Sequence, residues 1–169
     1  MFVLGVDPGL SRCGYGAVRV HSDGRLTAEA AGVLRTDTQA PLPRRLSVLL
    51  ADLRLLLDDL RPDAVAVEKV FFQTNVRTAM SVGQASGIAL ALADGMGCDV
   101  AEYTANEVKA AVAGYGAATK RQVQRMVQTQ LGLADPPRPP DAADALALAL
   151  THCALGPRRA RLRGGAVAR

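Results

Sequence analysis

The chain has 169 residues, of which 49% are hydrophobic and only 4% aromatic, and its formal net charge is +4. These values favour one compact domain with an aliphatic core. No apolar run reaches the roughly 18 residues that a membrane span needs, and the first residues lack the basic segment of a secretory signal, so we expect a cytoplasmic protein without membrane contact.

The positive charge is concentrated at the end of the chain. Residues 157–169 carry five arginines and no acid, so that subtracting them from the total of +4 leaves a net charge of −1 for residues 1–156. We therefore predict one folded domain over 1–156 and an arginine-rich, disordered tail over 157–169.

The first third of the chain predicts a small antiparallel sheet followed by a helix. Strands are expected over 2–7, 14–20 and 25–35, the last two joined by a turn at 21–24. Pro41 and Pro43 then open a helix whose leucines recur at helical spacing, and Pro62 closes it.

The rest of the chain alternates strands and helices. In order, we expect a strand over 64–70, a helix from about 76 to 93, a strand over 98–103, short helices after 104 and 119, and a last helix over 141–154. Thr104 and Glu107 form the capping box of the first short helix, which ends near Gly114. A stiff, proline-rich loop over 134–140 leads into the last helix.

Four carboxylates predict a metal site. Asp7 and Glu68 each interrupt an apolar run, where a carboxylate loses hydration unless a cation or hydrogen bonds compensate for it. Asp141 and Asp144 are three residues apart, so on a helix both point to one side. Four like charges repel each other without a bound ion, and hard divalent cations such as Mg²⁺ prefer oxygen ligands.

Each acid also has a purely structural interpretation. Asp7 before Pro8-Gly9 is typical of a turn. Glu68 is compatible with an edge strand and a neighbouring basic partner. Asp141 suits a helix N-cap, with Asp144 imitating a capping box beside the positive end of the helix dipole. Capping does not explain the two carboxylates on strands.

Between residues 108 and 133 every charged side chain is basic. These side chains are Lys109, Lys120, Arg121 and Arg125. Such a positive surface beside the acids suits a DNA phosphate backbone. The alternative interpretation is an ordinary solvated helix face.

These motifs together resemble the RuvC family of Holliday-junction resolvases, which are bacterial nucleases. The matching segments, in the family's order and spacing, are 5–9 (GVDPG), 68–72 (EKVFF), 83–87 (GQASG), 108–109 (VK), 114–117 (GYGA), 120–123 (KRQV) and 141–147 (DAADALA). Any one segment is a weak signal, but the ordered set is specific.

The resemblance implies an α/β, ribonuclease-H-like fold with a central five-stranded mixed sheet flanked by helices. It also implies that Asp7, Glu68, Asp141 and Asp144 bind two Mg²⁺ ions per subunit, for which Mn²⁺ substitutes. These ions serve phosphodiester hydrolysis.

The resemblance assigns further residues to DNA. Lys109 and Lys120 match family lysines near the scissile phosphate, although a solvated helix lysine is the alternative for each. Phe71 matches a position that stacks on an unpaired base, whereas Phe72 is expected in the core. Arg121 and Arg125, which follow from charge alone, are further DNA-binding candidates.

The implied activity is resolution of four-way junctions in DNA recombination and repair. Paired symmetric nicks would leave ligatable 5′-phosphate and 3′-hydroxyl ends. Two sites related by the junction's own two-fold axis require a homodimer. The helix of Gly83 and Gly87 is the candidate dimer surface, and the alternative is that these glycines allow close packing against the sheet. RuvA and RuvB are the implied branch-migration partners.

Three other hypotheses remain at this point. An actin-like ATPase also places an Asp-x-Gly strand end at a Mg-nucleotide, but this chain lacks an evident second phosphate loop. A non-catalytic junction-binding protein would not need all four acids. A ribonuclease acting on RNA–DNA hybrids is the nearest enzymatic rival.

Overall fold

A computed structural model describes the backbone of residues 1–70 and 76–166 and the side chains of residues 1–70 and 79–157. The strands are β1 (Phe2–Asp7), β2 (Arg12–Val20), β3 (Leu26–Arg35), β4 (Ala64–Glu68) and β5 (Asp99–Tyr103). The helices are α1 (Leu42–Leu60), α2 (Val76–Gly95), α3 (Ala105–Ala113), α4 (Lys120–Gln130) and α5 (Pro140–Ala166). Within these residues, no helix combines the length and the apolarity needed to cross a membrane.

The strands form one mixed sheet in the order β3-β2-β1-β4-β5. β2 runs antiparallel to β1 and β3, whereas β1, β4 and β5 run parallel to each other. β1 and β4 are almost entirely buried, as is typical of parallel strands with helices on both faces. The expected α/β fold, a five-stranded mixed sheet flanked by helices, is confirmed.

Helices on the two faces of the sheet create two separate apolar cores. α3, α4 and α5 pack on one face, around residues such as Val127 and Leu146. α1 and α2 pack on the other face, around residues such as Leu53 and Ala89. The sheet therefore separates an α3–α5 side from an α1–α2 side.

Helix α5 lies directly against β1 and β2 because both strands carry glycine beneath it. A Cβ atom added to Gly5 would overlap the carbonyl oxygen of Ala145, and one added to Gly14 would overlap that of Asp141. Backbone thus touches backbone, and any larger residue would push the helix away from the sheet. These glycines set the height of α5 above the sheet, and with it the position of Asp141.

The local helix signals before residue 120 are confirmed. Thr104 accepts a hydrogen bond from the Glu107 backbone and Glu107 accepts one from the Thr104 backbone, which is the expected capping box. Gly114 ends that helix in the left-handed region, with φ of 85°. Glu107 is accordingly a cap.

The predicted end of the last helix is wrong. α5 continues past Ala154 to Ala166, with Pro157 inside it, so that 157–166 is helical rather than disordered. Arginine, leucine and alanine have high helix propensity, and extending a formed helix costs far less than nucleating one. The division into a domain over 1–156 and a separate tail over 157–169 stays a prediction.

Candidate metal centre

Asp7 and Glu68 are the last residues of two neighbouring parallel strands, β1 and β4. Val6 pairs with Val67, so the two carboxylates that follow lie side by side at the carboxyl ends of β1 and β4. A hydrogen bond joins them. Because β4 lies between β1 and β5, the edge-strand interpretation of Glu68 is wrong.

The surroundings of these two carboxylates disfavour their charged forms. Burial raises the pKa of Asp7 to about 7, with further contributions from the charges of Glu68, Asp144 and Asp141. Burial also raises the pKa of Glu68, against the opposing effects of its hydrogen bond with Asp7 and of the Lys120 charge. Carboxylates from three remote parts of the chain therefore lie close enough together to affect each other's pKa values.

The other two acids lie in the first turns of α5 and are each paired with a base. Arg12 donates hydrogen bonds to Asp141 Oδ2 from Nε (3.1 Å) and from Nη2 (2.5 Å). Lys120 Nζ donates to Asp144 Oδ2 at 2.5 Å. The helix begins at Pro140, so Asp141 lies inside its first turn rather than at the N-cap.

The two ion pairs shift the pKa values of Asp141 and Lys120. The hydrogen bond from Arg12 is the largest reason why the pKa of Asp141 is lowered. Burial lowers the pKa of Lys120, but the hydrogen bond and the charge of Asp144 outweigh it, so the net shift is upward.

The donor set fits a hard divalent cation, although the side chains do not enclose one as they stand. Among residues described with their side chains, no three His, Cys, Asp or Glu groups are placed closely enough to hold a metal ion. Asp141 and Asp144 instead direct Oδ2 atoms at basic partners. The four carboxylates offer the oxygen donors that a hard cation prefers, and the raised pKa of Asp7 shows that its charged form lacks a compensating positive charge.

The remaining candidates are distributed around this centre. Lys109 is half-buried on α3, and within the described residues it forms no ion pair with the four acids. Phe71 and Phe72 lie outside the described residues. Of the predicted DNA-binding residues whose side chains the structure describes, only Lys120 contacts the carboxylates.

A cavity of about 950 Å³ lies between α4 and the proline-rich loop. Arg121, Arg125 and Arg138 line it together with Gln124 and the prolines from Pro136 to Pro140. We refer to it as the arginine cleft. It adjoins the metal centre, because Arg121 follows Lys120 and Pro140 precedes Asp141. In the described side chains none of its arginines forms an ion pair.

Sequence reasoning missed Arg12 and Arg138. Arg12 reaches the site because β2 returns antiparallel beside β1 and pairs Gly14 with Asp7, which places Arg12 just beyond the end of β1. The sequence signal that could have identified Arg12 was its position in the short connection that follows Asp-Pro-Gly. Arg138 was overlooked because it is surrounded by prolines, but it lies three residues before Asp141.

The chain was compared with known proteins. A family model described as "Crossover junction endodeoxyribonuclease RuvC" matches residues 3–152. The crossover junction endodeoxyribonuclease RuvC of Frankia alni is 54% identical over 168 residues, which cover 99% of this chain and 85% of that protein. A structure of Thermus thermophilus RuvC matches with a TM-score of 0.86 at 39% identity, covering 94% of this chain and 96% of that one. A second, "T. thermophilus RuvC in complex with Holliday junction substrate", matches with a TM-score of 0.87 at 40% identity, covering 92% and 94%.

We expect the metal-free protein to lose stability as the pH rises towards neutrality. Asp7 has a folded-state pKa of about 7 against an ordinary value of 3.8, so folding favours its protonated form. Its contribution is complete below about pH 4 and is lost as the pH rises through about 7. Asp7→Asn cannot ionise, and should raise the free energy of unfolding at pH 8 by on the order of a few kcal/mol, and by less at pH 5.

Urea unfolding in EDTA at both pH values measures this effect. Asp59→Asn, at an exposed position of α1, is the matched control and should change stability by less than about 0.5 kcal/mol at either pH. A gain from Asp7→Asn that does not grow with pH would contradict the raised pKa that burial and the neighbouring carboxylates give Asp7.

Proposed function

The chain belongs to the RuvC family of crossover junction endodeoxyribonucleases, and we propose that it cuts Holliday junctions with the four carboxylates at the edge of its sheet. It is a hydrolase of DNA recombination and repair. The proposed catalytic and metal-binding residues are Asp7, Glu68, Asp141 and Asp144. The observation that carries this assignment is that Asp7, at the end of β1, is hydrogen-bonded to Glu68 of β4 and lies close to Asp144 and Asp141 of α5, so that burial and these neighbouring carboxylates together raise its pKa.

We propose Mg²⁺ as the cofactor, two ions per subunit, with Mn²⁺ able to substitute. When bound, the ions supply an activated water and stabilise the leaving 3′ oxygen, so that the products carry 5′-phosphate and 3′-hydroxyl ends. Asp7 is the proposed shared ligand, because it is central to the group. Glu68, Asp141 and Asp144 complete the set once their present hydrogen bonds open.

Two lysines are proposed to neutralise the scissile phosphate. Lys120 is already held over the site by Asp144. Its charge becomes available to a phosphate oxygen when Asp144 turns to a cation. The family resemblance suggests the same role for Lys109. It also suggests that Phe71 stacks on an unpaired base.

The arginine cleft is the proposed path of the DNA strand beside the scissile phosphate. Its three arginines have no acidic partner among the described side chains, and it opens next to both Lys120 and Asp141. A strand bound at the metal centre would therefore continue over positive charge. Phosphate contacts of this kind position a nucleic acid without reading its sequence.

Paired nicks require two copies of the site, and a homodimer is the proposed assembly. The candidate contact is an apolar depression between α1 and α2, which we call the α1–α2 surface. Its lining residues are Leu46, Ser47, Leu50, Gln84, Gly87, Ile88, Ala91 and Leu92. Leu50 is 41% exposed there, which a second copy would cover.

The family resemblance alone suggests RuvA and RuvB as partners. The proposed location is the cytoplasm, because that is where a bacterial junction substrate is found. Copurification of this chain with RuvA and RuvB on junction DNA would test the partnership.

Asp7→Asn should retain junction binding and lose Mg²⁺-dependent cleavage. The expected loss exceeds about 100-fold, because changes to residues that merely orient metal ligands already cost about 10- to 100-fold. Gel-shift and nicking assays on the same four-way junction measure both properties. Asp59→Asn should bind and cut like the parent protein. Undiminished cutting by Asp7→Asn would refute the site assignment.

Arg125→Gln should weaken junction binding by about the same factor for every sequence and make it less dependent on salt. Each lost phosphate contact reduces the slope of log K against log[salt] by about 0.9 on duplex DNA. The slope is measured from binding isotherms at roughly 50 to 200 mM salt. In this range affinity depends strongly on the number of phosphate contacts. Arg54→Gln, at an exposed position of α1 across the sheet, is the control. Equal slopes would exclude the arginine cleft from the DNA path.

Ala91→Glu should dissociate the dimer, because it places an unpaired charge in the α1–α2 surface. We expect the dissociation constant to rise by at least about tenfold in sedimentation equilibrium. Leu55→Glu is the control, since Leu55 is exposed on α1 but does not line this surface. An Ala91→Glu protein that dimerises as before would place the dimer contact elsewhere.

A further inference from the structure

Arg12 has no role in the proposed reaction, yet it contacts Asp141 at 2.5 Å, as closely as Lys120 contacts Asp144. Both of its hydrogen bonds, from Nε and Nη2, end on the same atom, Asp141 Oδ2. Neither partner is deeply buried, since the side chains are 42% and 27% exposed. Arg12 thus lies where the site meets solvent, so a cation from solution can replace it on Asp141.

The position of Arg12 is fixed by the same elements that form the centre. It is the first residue of β2, and Gly14, two residues on, pairs with Asp7 and lies under the backbone of Asp141. The guanidinium is therefore held near Asp141 by the strand and does not arrive there by chance rotation of a surface side chain.

The surroundings of Arg12 are basic apart from the site itself. Arg35 is its register partner on β3, and Arg45 donates a hydrogen bond to the neighbouring Ser11 at 2.6 Å. In the described side chains Asp141 is its one ion-pair partner. Arg12 is consequently the positive charge that occupies Asp141 when no cation does.

We propose that Arg12 is an internal counter-cation, which holds Asp141 in the metal-free protein and must leave it for a divalent cation to bind there. This inference rests on the proposed function. The guanidinium is permanently charged, so a cation that shares Asp141 must displace it and is repelled by it until it moves. Arg12 therefore lowers the affinity of this site for metal.

The size of the effect follows from the exposure of the pair. Ion pairs at exposed positions change an equilibrium constant by roughly 1.5- to 5-fold. Arg12→Gln removes the charge and should tighten Mn²⁺ binding by that factor. Arg12→Lys keeps the charge but not the forked geometry, and should tighten it less.

Calorimetric titration of Mn²⁺ into the full, metal-free chain tests the proposal without measuring cleavage. The matched control is Arg19→Gln, at the other end of β2, because Arg19 has a similar exposure of 44% and pairs with Glu29 away from the site. Circular dichroism establishes that each variant is folded. If Arg12→Gln does not fold, Arg12→Lys provides the comparison.

A double-mutant cycle isolates the pair. If Arg12 acts through Asp141, then Arg12→Gln should tighten Mn²⁺ binding in the parent protein and change nothing in an Asp141→Asn background. Unchanged or weaker binding by Arg12→Gln would overturn the proposal, and weaker binding would mean that Arg12 orients Asp141 for the metal. An equal gain from Arg19→Gln, or a gain that persists with Asp141→Asn, would also overturn it.

The outcomes separate this inference from the proposed function. A parent protein that takes up no Mn²⁺ would defeat both. A parent protein that binds Mn²⁺ and cuts junctions, beside an Arg12→Gln variant that binds no tighter, would defeat the counter-cation alone.

Discussion

The contact between α5 and the glycines of β1 and β2 is the constraint on which the site depends. Two of the acids are the last residues of β1 and β4, and the register of the sheet places them side by side. The other two are carried by a helix whose height is set where backbone meets backbone, at Gly5 and Gly14. Such a contact cannot relax by a change of rotamer, as a leucine contact can. The relation between the two pairs of acids is thereby fixed more tightly than packing elsewhere in the core.

The structure accommodates the four negative charges in two different ways. Asp7 and Glu68 are partly buried, share a hydrogen bond and have raised pKa values. Asp141 and Asp144 are more exposed and are neutralised by Arg12 and Lys120. In one pair the two carboxylates are hydrogen-bonded to each other, and in the other each carboxylate is paired with a base. Both arrangements reduce the cost of placing four carboxylates close together.

Much of this arrangement follows from local sequence signals, and the rest does not. The strand and helix positions and the Thr104 capping box were predicted correctly, because periodicity and capping act within a few residues. The mixed five-stranded sheet was implied by the family resemblance, and the structure confirms it. The ion pair of Arg12 depends on a long-range register, which a single sequence does not encode locally. The length of α5 was underestimated because a run of arginines suggested a solvated tail, although arginine is a good helix former. The functional roles of all the candidate site residues stay predictions, namely those of Asp7, Glu68, Asp141, Asp144, Lys109, Lys120, Phe71, Arg121 and Arg125.

The two apolar cores share no residue in the described part of the chain, and the sheet stands between them. Substitutions behind α1 and α2 can thus be absorbed without repacking the helices that hold the carboxylates. The proposed dimer surface and the proposed cleavage site therefore lie on opposite sides of the sheet, where selection, or a protein engineer, is able to change one without the other. A covalently tethered pair of copies, joined through α1, would be a natural first use of that independence.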